Sequence, residues 1–179
     1  MKKQKKIVLA YSGGLDTSVI LKWLQEKYNS KIIAYTADIG QKINKKKIVK
    51  NAKAIGVQKI IIENLKDLFV KEYVYPMIRG HAIYEGVYLL GTSIARPLIA
   101  KRQIAIAKKF KAYAVSHGST GKGNDQVRFE LAYHYFAPKT KIIAPWRIWK
   151  LNSRTDLIKY AKKIKYQYPK IKKELRPFR

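Results

Sequence analysis

Short apolar runs alternate with longer amphipathic runs along most of this 179-residue chain. Between the apolar runs, apolar residues recur at helical spacing over about ten residues or more, and this pattern predicts crossover helices. Such alternation favours parallel strands that are buried on both sides. We therefore expect one α/β domain: a doubly wound, mainly parallel five-stranded sheet with helices on both faces. The predicted strands cover residues 5–10, 32–36, 57–62, 112–115 and 142–144.

Prolines and a serine mark predicted helix boundaries. Pro76 is expected to kink or end a helix over residues 65–78, because proline removes a backbone hydrogen bond. Pro97 is expected in the first turn of a helix over residues 94–110, where proline is tolerated. Ser153 is expected to cap the last helix.

Three polar loops follow predicted strands, at residues 12–18, 38–41 and 116–125. In open parallel sheets, ligands bind beyond the carboxyl ends of the strands. The three loops are therefore expected on one rim of the sheet, and this rim is where we place the functional site.

Residues 12–18, Ser-Gly-Gly-Leu-Asp-Thr-Ser, form what we call the serine–glycine turn. Gly13 and Gly14 permit positive φ and close approach of a ligand to the backbone. The hydroxyls of Ser12, Thr17 and Ser18, with the free N–H groups of the first helical turn, make an anion pocket, most naturally one for phosphate. The alternative is an ordinary βα turn with a serine cap.

The serine–glycine turn differs from the nucleoside-triphosphate loop that ends in Gly-Lys-Ser/Thr, because no lysine follows its glycines. Its pattern, Ser-Gly-Gly-x-Asp-Ser/Thr, resembles the pyrophosphate loop of the ATP pyrophosphatases. This resemblance implies attack at the α-phosphorus of ATP, with AMP and pyrophosphate as products.

A second loop, which we call the glycine-rich loop, covers residues 116–125. Thr120, Asn124 and Asp125 line its exit with a hydroxyl, an amide and a carboxylate. Such a set can bind a zwitterion, with its ammonium at Asp125 and its carboxylate at Thr120 and Asn124. Arg128, about one helical turn later, can pair with a second carboxylate. The alternative is a capped helix in which Arg128 is a solvated neighbour.

Hydroxyl groups and a guanidinium also cluster around an earlier predicted helix start, over residues 84–97. Tyr88 and Arg96 would singly be surface residues. Their expected position beside the same rim makes them candidates for the site.

The chain carries 39 Lys and Arg against 11 Asp and Glu, a net charge of +28. Such a charge is typical of proteins that bind nucleic acid. Here the basic residues occur in every segment, whereas a binding footprint is concentrated on one face. Lysine, isoleucine and tyrosine, all encoded by A/T-rich codons, are abundant together, which indicates compositional drift. We therefore expect nucleic acid not to be a partner.

Composition also limits the cell compartment and the metal chemistry. The chain has no cysteine and only three scattered histidines, so we expect no disulfide, thiolate site or structural metal. No apolar run approaches the roughly 20 residues that cross a bilayer, and the lysine-rich start leads into a strand-length segment rather than a signal sequence. We expect a cytoplasmic protein without membrane contact.

Five motifs together resemble the nucleotide-binding half of the argininosuccinate synthetase family. The first motif alone indicates only the ATP pyrophosphatase superfamily, whereas the third and fourth together are highly specific. The likeness covers roughly residues 5–163. The motifs are Ala-Tyr-Ser-Gly-Gly-Leu-Asp-Thr-Ser at 10–18, Ala-Tyr-Thr-Ala-Asp-Ile-Gly-Gln at 34–41, Tyr-Leu-Leu-Gly-Thr-Ser-Ile-Ala-Arg-Pro at 88–97, Ser-His-Gly-Ser-Thr-Gly-Lys-Gly-Asn-Asp-Gln-Val-Arg-Phe-Glu at 116–130 and Ile-Ala-Pro-Trp-Arg at 143–147.

The resemblance implies an adenine nucleotide alpha hydrolase-like, Rossmann-like fold and binding sites for ATP with Mg²⁺, citrulline and aspartate. The implied ATP-binding residues are Ala10, Tyr11, Ser12, Gly13, Gly14, Leu15, Asp16, Thr17, Ser18, Ala37 and Gly118. The implied citrulline-binding residues are Tyr88, Ser93, Asn124 and Arg128. The implied aspartate-binding residues are Thr120, Asn124 and Asp125.

The chemistry that the resemblance implies needs no covalent nucleophile from the protein. The ureido oxygen of citrulline would attack the α-phosphorus to form a citrullyl-adenylate, and the aspartate amine would then displace AMP to give argininosuccinate. Positioning and electrostatic support for the leaving pyrophosphate would supply most of the rate.

One departure from the family is the length of the chain. Members continue into a larger synthetase domain that completes the citrulline site and makes most contacts of the family's homotetramer. We expect a nucleotide-binding domain at residues 1–165 and a basic tail at 166–179 that begins the missing domain, in a truncated form. Two alternatives stay open: a tRNA-modifying ATP pyrophosphatase, and a non-catalytic ATP-binding remnant or subunit.

Overall fold

The protein is described by a computed structural model that covers residues 4–121, 123–149 and 154–163. Five strands form a single sheet: β1 (Lys6–Ala10), β2 (Lys31–Asp38), β3 (Lys59–Asn64), β4 (Ala114–Ser116) and β5 (Lys141–Ile143). Their order is β3-β2-β1-β4-β5, and every neighbouring pair is parallel. The predicted parallel five-stranded sheet is confirmed.

Helices follow the strands as the alternating pattern predicts. They are α1 (Leu15–Tyr28), α2 (Lys45–Ala54), α3 (Lys66–Phe69), α4 (Tyr75–Arg79), α5 (Gly91–Lys109), α6 (Asn124–Phe136), α7 (Pro145–Ile148) and α8 (Arg154–Lys163). A π-helical turn, Val70–Val74, joins α3 to α4. Among the described residues, none of these helices has the length and apolarity needed to cross a bilayer.

Each face of the sheet carries its own apolar core, because successive side chains of a strand point to opposite faces. Ile7 and Leu9 of β1 pack with α1, α2 and α8, whereas Val8 packs with α5 and α6 on the other face. All three side chains are fully buried. Burial of such a side chain contributes about 1.5–3 kcal/mol. The doubly wound architecture is thus stabilised from both sides.

The order of the strands places a topological switch between β1 and β4. The chain moves outward from β1 through β2 and β3, then returns to the other side of β1 to form β4 and β5. The chain therefore leaves the carboxyl ends of β1 and β4 in opposite directions, and a crevice lies between the two strands at this edge of the sheet. The serine–glycine turn follows β1 and the glycine-rich loop follows β4, so the fold brings these two loops together at the crevice.

Gln103 fixes the switch point from within the core. Its fully buried side chain donates from Nε2 to the carbonyl oxygens of Val8 (2.9 Å) and Ser116 (2.8 Å). The hydroxyl of Tyr133 in α6 donates to Oε1 of Gln103 at 2.7 Å. One amide of α5 thus ties β1, β4 and α6 together.

Several element boundaries differ from the sequence-based predictions. Helix α5 begins at Gly91 instead of residue 94, because Leu90 in the left-handed region (φ 56°) precedes it and its carbonyl accepts the Ile94 N–H at 3.0 Å. Pro97 therefore lies in the second turn, and its predicted place in the first turn was wrong. The helix predicted to kink or end at Pro76 continues to Arg79, with its α-helical hydrogen bonding interrupted earlier, in the π-helical turn.

Two further differences lie in the second half of the chain. Strand β4 begins two residues later than predicted, and the short helix α7 was not predicted at all. The predicted cap Ser153 and the basic tail at 166–179 lie outside the described residues.

Candidate active site

The serine–glycine turn is held against α2. Gly13 has a φ of +78°, and a Cβ on it would lie 2.8 Å from Cγ1 of Ile48. The side chain of Asn51 donates to the Gly13 carbonyl at 3.0 Å. Gly14 has an extended backbone (φ −81°, ψ 178°). Of the two glycines, Gly13 therefore needs the left-handed region and Gly14 does not.

The hydroxyl groups of this turn do different work. The Oγ of the exposed Ser12 lies 3.0 Å from Oγ1 of Thr17 and accepts the Gly14 N–H at 3.3 Å. Ser18 is fully buried, with its Oγ 3.0 Å from the buried Tyr11 hydroxyl. Ser12 thus faces outward, whereas Ser18 and Tyr11 fasten α1 to β1.

The first turn of α1 supplies anion-binding groups. The Ser18 N–H donates to the Gly14 carbonyl at 3.1 Å, and the N–H groups of residues 15–17 precede this bond and have no intrahelical acceptor. Asp16 is exposed and is the only acidic residue between Ala10 and Ser18. Free N–H groups at a helix N-terminus favour phosphate. The other predicted ATP-binding residues are half-buried (Ala10) or buried (Leu15, Ala37).

The two loops of the crevice touch. A Cβ on Gly118 would lie 2.9 Å from Cγ2 of Thr17 and 3.5 Å from Cδ1 of Ile20. Only a residue without a side chain lets the glycine-rich loop approach α1 this closely. The structure therefore brings the predicted ATP-binding residues from β1 and β4 to one place.

A three-residue ion network lies at the start of α6. Nη2 of Arg96 in α5 donates to Oδ2 of Asp125 at 2.8 Å, and Nη1 of Arg128 donates to Oδ1 at 3.2 Å. Asp125 is a predicted ligand of an ammonium group, and Arg128 is a predicted ligand of a carboxylate. In the structure Asp125 and Arg128 also pair with each other.

Burial raises the pKa of Asp125, but the hydrogen bonds and charges of Arg96 and Arg128 outweigh burial and hold it below its usual value. The Tyr88 hydroxyl lies 3.4 Å from Oγ of Ser93. Hydrogen bonding to Ser93, with help from Thr92 and the charge of Arg128, lowers the pKa of Tyr88 against the opposing effect of burial. Tyr88 and Ser93 are therefore close to the ion network.

Thr120 and Asn124, the remaining predicted amino-acid ligands, are both exposed. The Thr120 carbonyl accepts the Gly123 N–H at 3.4 Å, and Asn124 is the first residue of α6. Their side chains stand at the exit of the glycine-rich loop, where they are accessible to a ligand.

In the third loop of the rim, two lysines form ion pairs with Asp38. The Asp38 carboxylate, at the end of β2, lies 3.2 Å from Nζ of Lys45 and 3.8 Å from Nζ of Lys66. Its Oδ1 also accepts the Gly40 N–H at 3.4 Å. Burial raises the pKa of Asp38, but these hydrogen bonds and the lysine charges bring it below its usual value. Asp38 thus stabilises the loop that follows β2.

Comparison with known proteins decides the family. The family model described as "Arginosuccinate synthase N-terminal HUP domain" matches residues 6–167. The chain belongs to the argininosuccinate synthase family. The argininosuccinate synthase of Pelagibacter ubique (strain HTCC1062) is 79% identical over 99% of this chain and 45% of its own length. That of Ehrlichia canis (strain Jake) is 60% identical over 97% of this chain and 44% of its own length. This chain therefore spans less than half of these argininosuccinate synthases.

Solved structures support the fold alone. A U34-tRNA thiolase, NcsA from Methanococcus maripaludis, superposes with a TM-score of 0.58 at 20% identity, over 94% of this chain and 60% of its own. A predicted subunit of tRNA methyltransferase from Methanocaldococcus jannaschii gives a TM-score of 0.57 at 15% identity, over 88% of this chain and 75% of its own.

Sequence reasoning missed one residue of the glycine-rich loop and one residue of α6 in this member of the argininosuccinate synthase family. His117 is fully buried, and Glu130 lies 3.5 Å from its Nε2. Both stand within the motif at 116–130, but neither has a spacing typical of a metal or catalytic site. Their partnership depends on the turn of the chain between them, which spacing does not reveal.

Proposed function

We propose that this chain is the nucleotide-binding half of an argininosuccinate synthase, an ATP-dependent ligase of arginine biosynthesis that joins citrulline and aspartate in the cytoplasm. The observation that carries the proposal is the contact between Thr17 and Gly118. It unites the serine–glycine turn, which suits phosphates, with the loop that leads to Thr120, Asn124 and Asp125.

ATP is assigned to residues 10–18 with Ala37 and Gly118. The free N–H groups at the start of α1 and the exposed Ser12 hydroxyl suit the β- and γ-phosphates. Magnesium, when bound with ATP, would neutralise charge on the leaving pyrophosphate. Asp16 is the acidic group of the turn that is suited to it. Gly118 limits the width of the crevice.

Citrulline is assigned to Tyr88, Ser93, Asn124 and Arg128, and aspartate to Thr120, Asn124 and Asp125. Because Asp125 is already paired with Arg96 and Arg128, an incoming ammonium group would share its carboxylate with them. The guanidinium groups freed in part by this exchange could then bind substrate carboxylates. In this proposal, the ion pairs within the network occupy the same charged groups that would bind the amino-acid substrates.

The reaction follows from placing three reactants side by side. The citrulline ureido oxygen forms a bond to the α-phosphorus as the bond to pyrophosphate breaks, and the aspartate amine then displaces AMP and releases a proton. The chain supplies orientation through Asn124 and its neighbours and electrostatic support through the helix N-terminus.

A direct test measures pyrophosphate release by the chain with Mg·ATP and citrulline, with citrulline plus aspartate, or with neither. The proposal predicts release only when citrulline is present. Equal release without citrulline, or failure to bind ATP, would contradict it. The match to the family over residues 6–167 favours this reading over a tRNA-modifying ATP pyrophosphatase.

An exposed apolar stripe favours a second candidate, a subunit or half that acts only when docked. Val127, Leu131 and Tyr135 recur every four residues on α6 and are 52%, 64% and 83% exposed. Exposed apolar side chains in a row are typical of docking surfaces. We propose that this stripe docks the segment of the relatives that this chain does not span. The family's homotetramer would depend on that segment.

This docking role has its own test. The remaining segment of the Pelagibacter ubique relative, produced separately, should bind this chain in sedimentation velocity experiments. The substitution L131E should weaken the association at least tenfold, whereas K46E, at an exposed position of α2 on the opposite face of the sheet, should not. If the chain binds ATP but releases no pyrophosphate in any of the three mixtures, the result would favour this role. An association unaffected by L131E would contradict it.

A further inference from the structure

The buried imidazole of His117 connects the glycine-rich loop to the core. Its Nδ1 accepts the backbone N–H of Ser119 at 3.3 Å. Its ring stacks on Phe129 with centroids 5.3 Å apart and planes 7° from parallel, and Tyr133 lies 6.2 Å away. The ring is fully buried, so its orientation is set by packing.

The protonation state of His117 follows from its surroundings. Burial lowers the pKa of His117, assisted by the charge of Arg147, and outweighs the opposing effect of Glu130. The imidazole is therefore neutral near pH 7. Because Nδ1 accepts a hydrogen bond, the single ring proton belongs on Nε2, which faces Oε1 of Glu130 at 3.5 Å.

Glu130 extends this connection to a second point of the loop. Its Oε1 accepts from Nε2 of Gln126 at 3.0 Å, and its Oε2 accepts from Nη1 of Arg147 at 3.3 Å. The Arg147 side chain in turn lies against Gly121, where a Cβ would come within 3.3 Å of its Cγ. The same carboxylate therefore faces Nε2 of His117 without a hydrogen bond to it, and supports the loop near Gly121 through Arg147.

We propose that His117 is a positioning residue whose neutral Nε2–H imidazole holds the Ser119 backbone and so keeps Gly118 against Thr17. The consequence for ATP rests on the proposed function, whereas the hold on Ser119 does not. Loss of the acceptor at Nδ1 would leave the Ser119 N–H without its partner and let the loop move away from α1.

The tautomer is tested first, on the unmodified chain. Long-range proton–nitrogen NMR correlations should show His117 protonated at Nε2 and unprotonated at Nδ1 at pH 7. A proton on Nδ1 would overturn the proposal, because the ring could not then accept the Ser119 N–H. This measurement needs neither a variant nor a ligand.

Two substitutions test the hold on the loop. H117N keeps an acceptor near the position of Nδ1, and H117L removes it. Hydrogen exchange at the Ser119 amide should be at least tenfold faster in H117L than in the unmodified chain, while amides of β4 and α6 change less than twofold. H117N should restore most of the protection. Equal Ser119 exchange in all three proteins would overturn the proposal.

ATP affinity separates this inference from the proposed function. The dissociation constant for Mg·ATP should rise about tenfold in H117L and less than threefold in H117N. An unmodified chain that binds no ATP would contradict the proposed function, while the Ser119 exchange would still decide the role of His117. If H117L shows faster exchange at Ser119 but an unchanged ATP affinity, His117 does not help to position the nucleotide.

Discussion

Arg96 and Asp125 join the amino-terminal parts of α5 and α6, with Nη2 of Arg96 2.8 Å from Oδ2 of Asp125. We expect D125N to weaken aspartate binding about tenfold to a hundredfold, since a hydrogen bond to a charged group contributes about 1.5–3 kcal/mol. ATP affinity should change less than twofold. Calorimetric titration of aspartate in the presence of Mg·ATP measures the effect. Equal losses of aspartate and ATP affinity would contradict the assignment of Asp125.

Gly13 is expected to be the least replaceable residue of the serine–glycine turn. G13A combines a left-handed φ of +78° with a Cβ 2.8 Å from Ile48, so unfolding in urea should show a loss of about 2–4 kcal/mol. Gly56 has a similar φ of +85° and open space around its Cβ position, so G56A measures the backbone cost alone. If the two variants lost equal stability, the close packing against Ile48 would be unimportant.

Comparison of sequence and structure shows what each can determine. The alternation of apolar and amphipathic runs predicted all five strands, their parallel direction and their burial on both faces. It could do so because a strand buried on both faces has a continuous apolar run in its own sequence. The serine–glycine turn was located from its glycines. The demand for positive φ at Gly13 alone could not be predicted, since Gly14 is chemically identical and differs only in what surrounds it.

Side-chain partnerships across the fold were harder to predict. The pairing of Asp125 with Arg96 was not predicted, because the two residues lie 29 positions apart in sequence. His117 was treated as a scattered histidine because its environment arises only when β4, α6 and α7 assemble. Interactions between distant segments depend on packing rather than on periodicity. The roles of the predicted ligands toward ATP, citrulline and aspartate stay predictions.

The buried amide of Gln103 should be critical for stability. Q103L would leave the Val8 and Ser116 carbonyls without this donor and the Tyr133 hydroxyl without its acceptor, for a loss of about 2–4 kcal/mol. Y133F removes only one of these bonds and should cost about 1 kcal/mol. Urea unfolding of both variants and their double mutant measures the coupling. Full additivity in the double mutant would show that the three bonds do not act as a network.

Acid should remove the contribution of Asp38. Its pKa in the folded chain lies below that of the unfolded chain, near 4, so its carboxylate stabilises the fold above that pH. This contribution is lost as the pH falls through the lower, folded-state value. The difference in Tm between the unmodified chain and D38N should therefore be largest at neutral pH and shrink below about pH 4. A difference independent of pH would mean that the ion pairs with Lys45 and Lys66 do not contribute.

The contact between Thr17 and Gly118 gives the most direct test of a nucleotide site shared by two loops. In G118A the added Cβ would lie 2.9 Å from Cγ2 of Thr17 and force the loops apart. T17S removes that methyl group and keeps the hydroxyl, so it provides the matched rescue. G91A, at a glycine with open space around it, is the control for a glycine-to-alanine change.

The deciding measurement is the dissociation constant for Mg·ATP by equilibrium dialysis in these variants. We predict at least a tenfold weaker affinity in G118A, recovery to within threefold in T17S/G118A, and no change in G91A. ATP affinity in G118A equal to that of the unmodified chain would contradict the account, because the glycine-rich loop would then not belong to the nucleotide site.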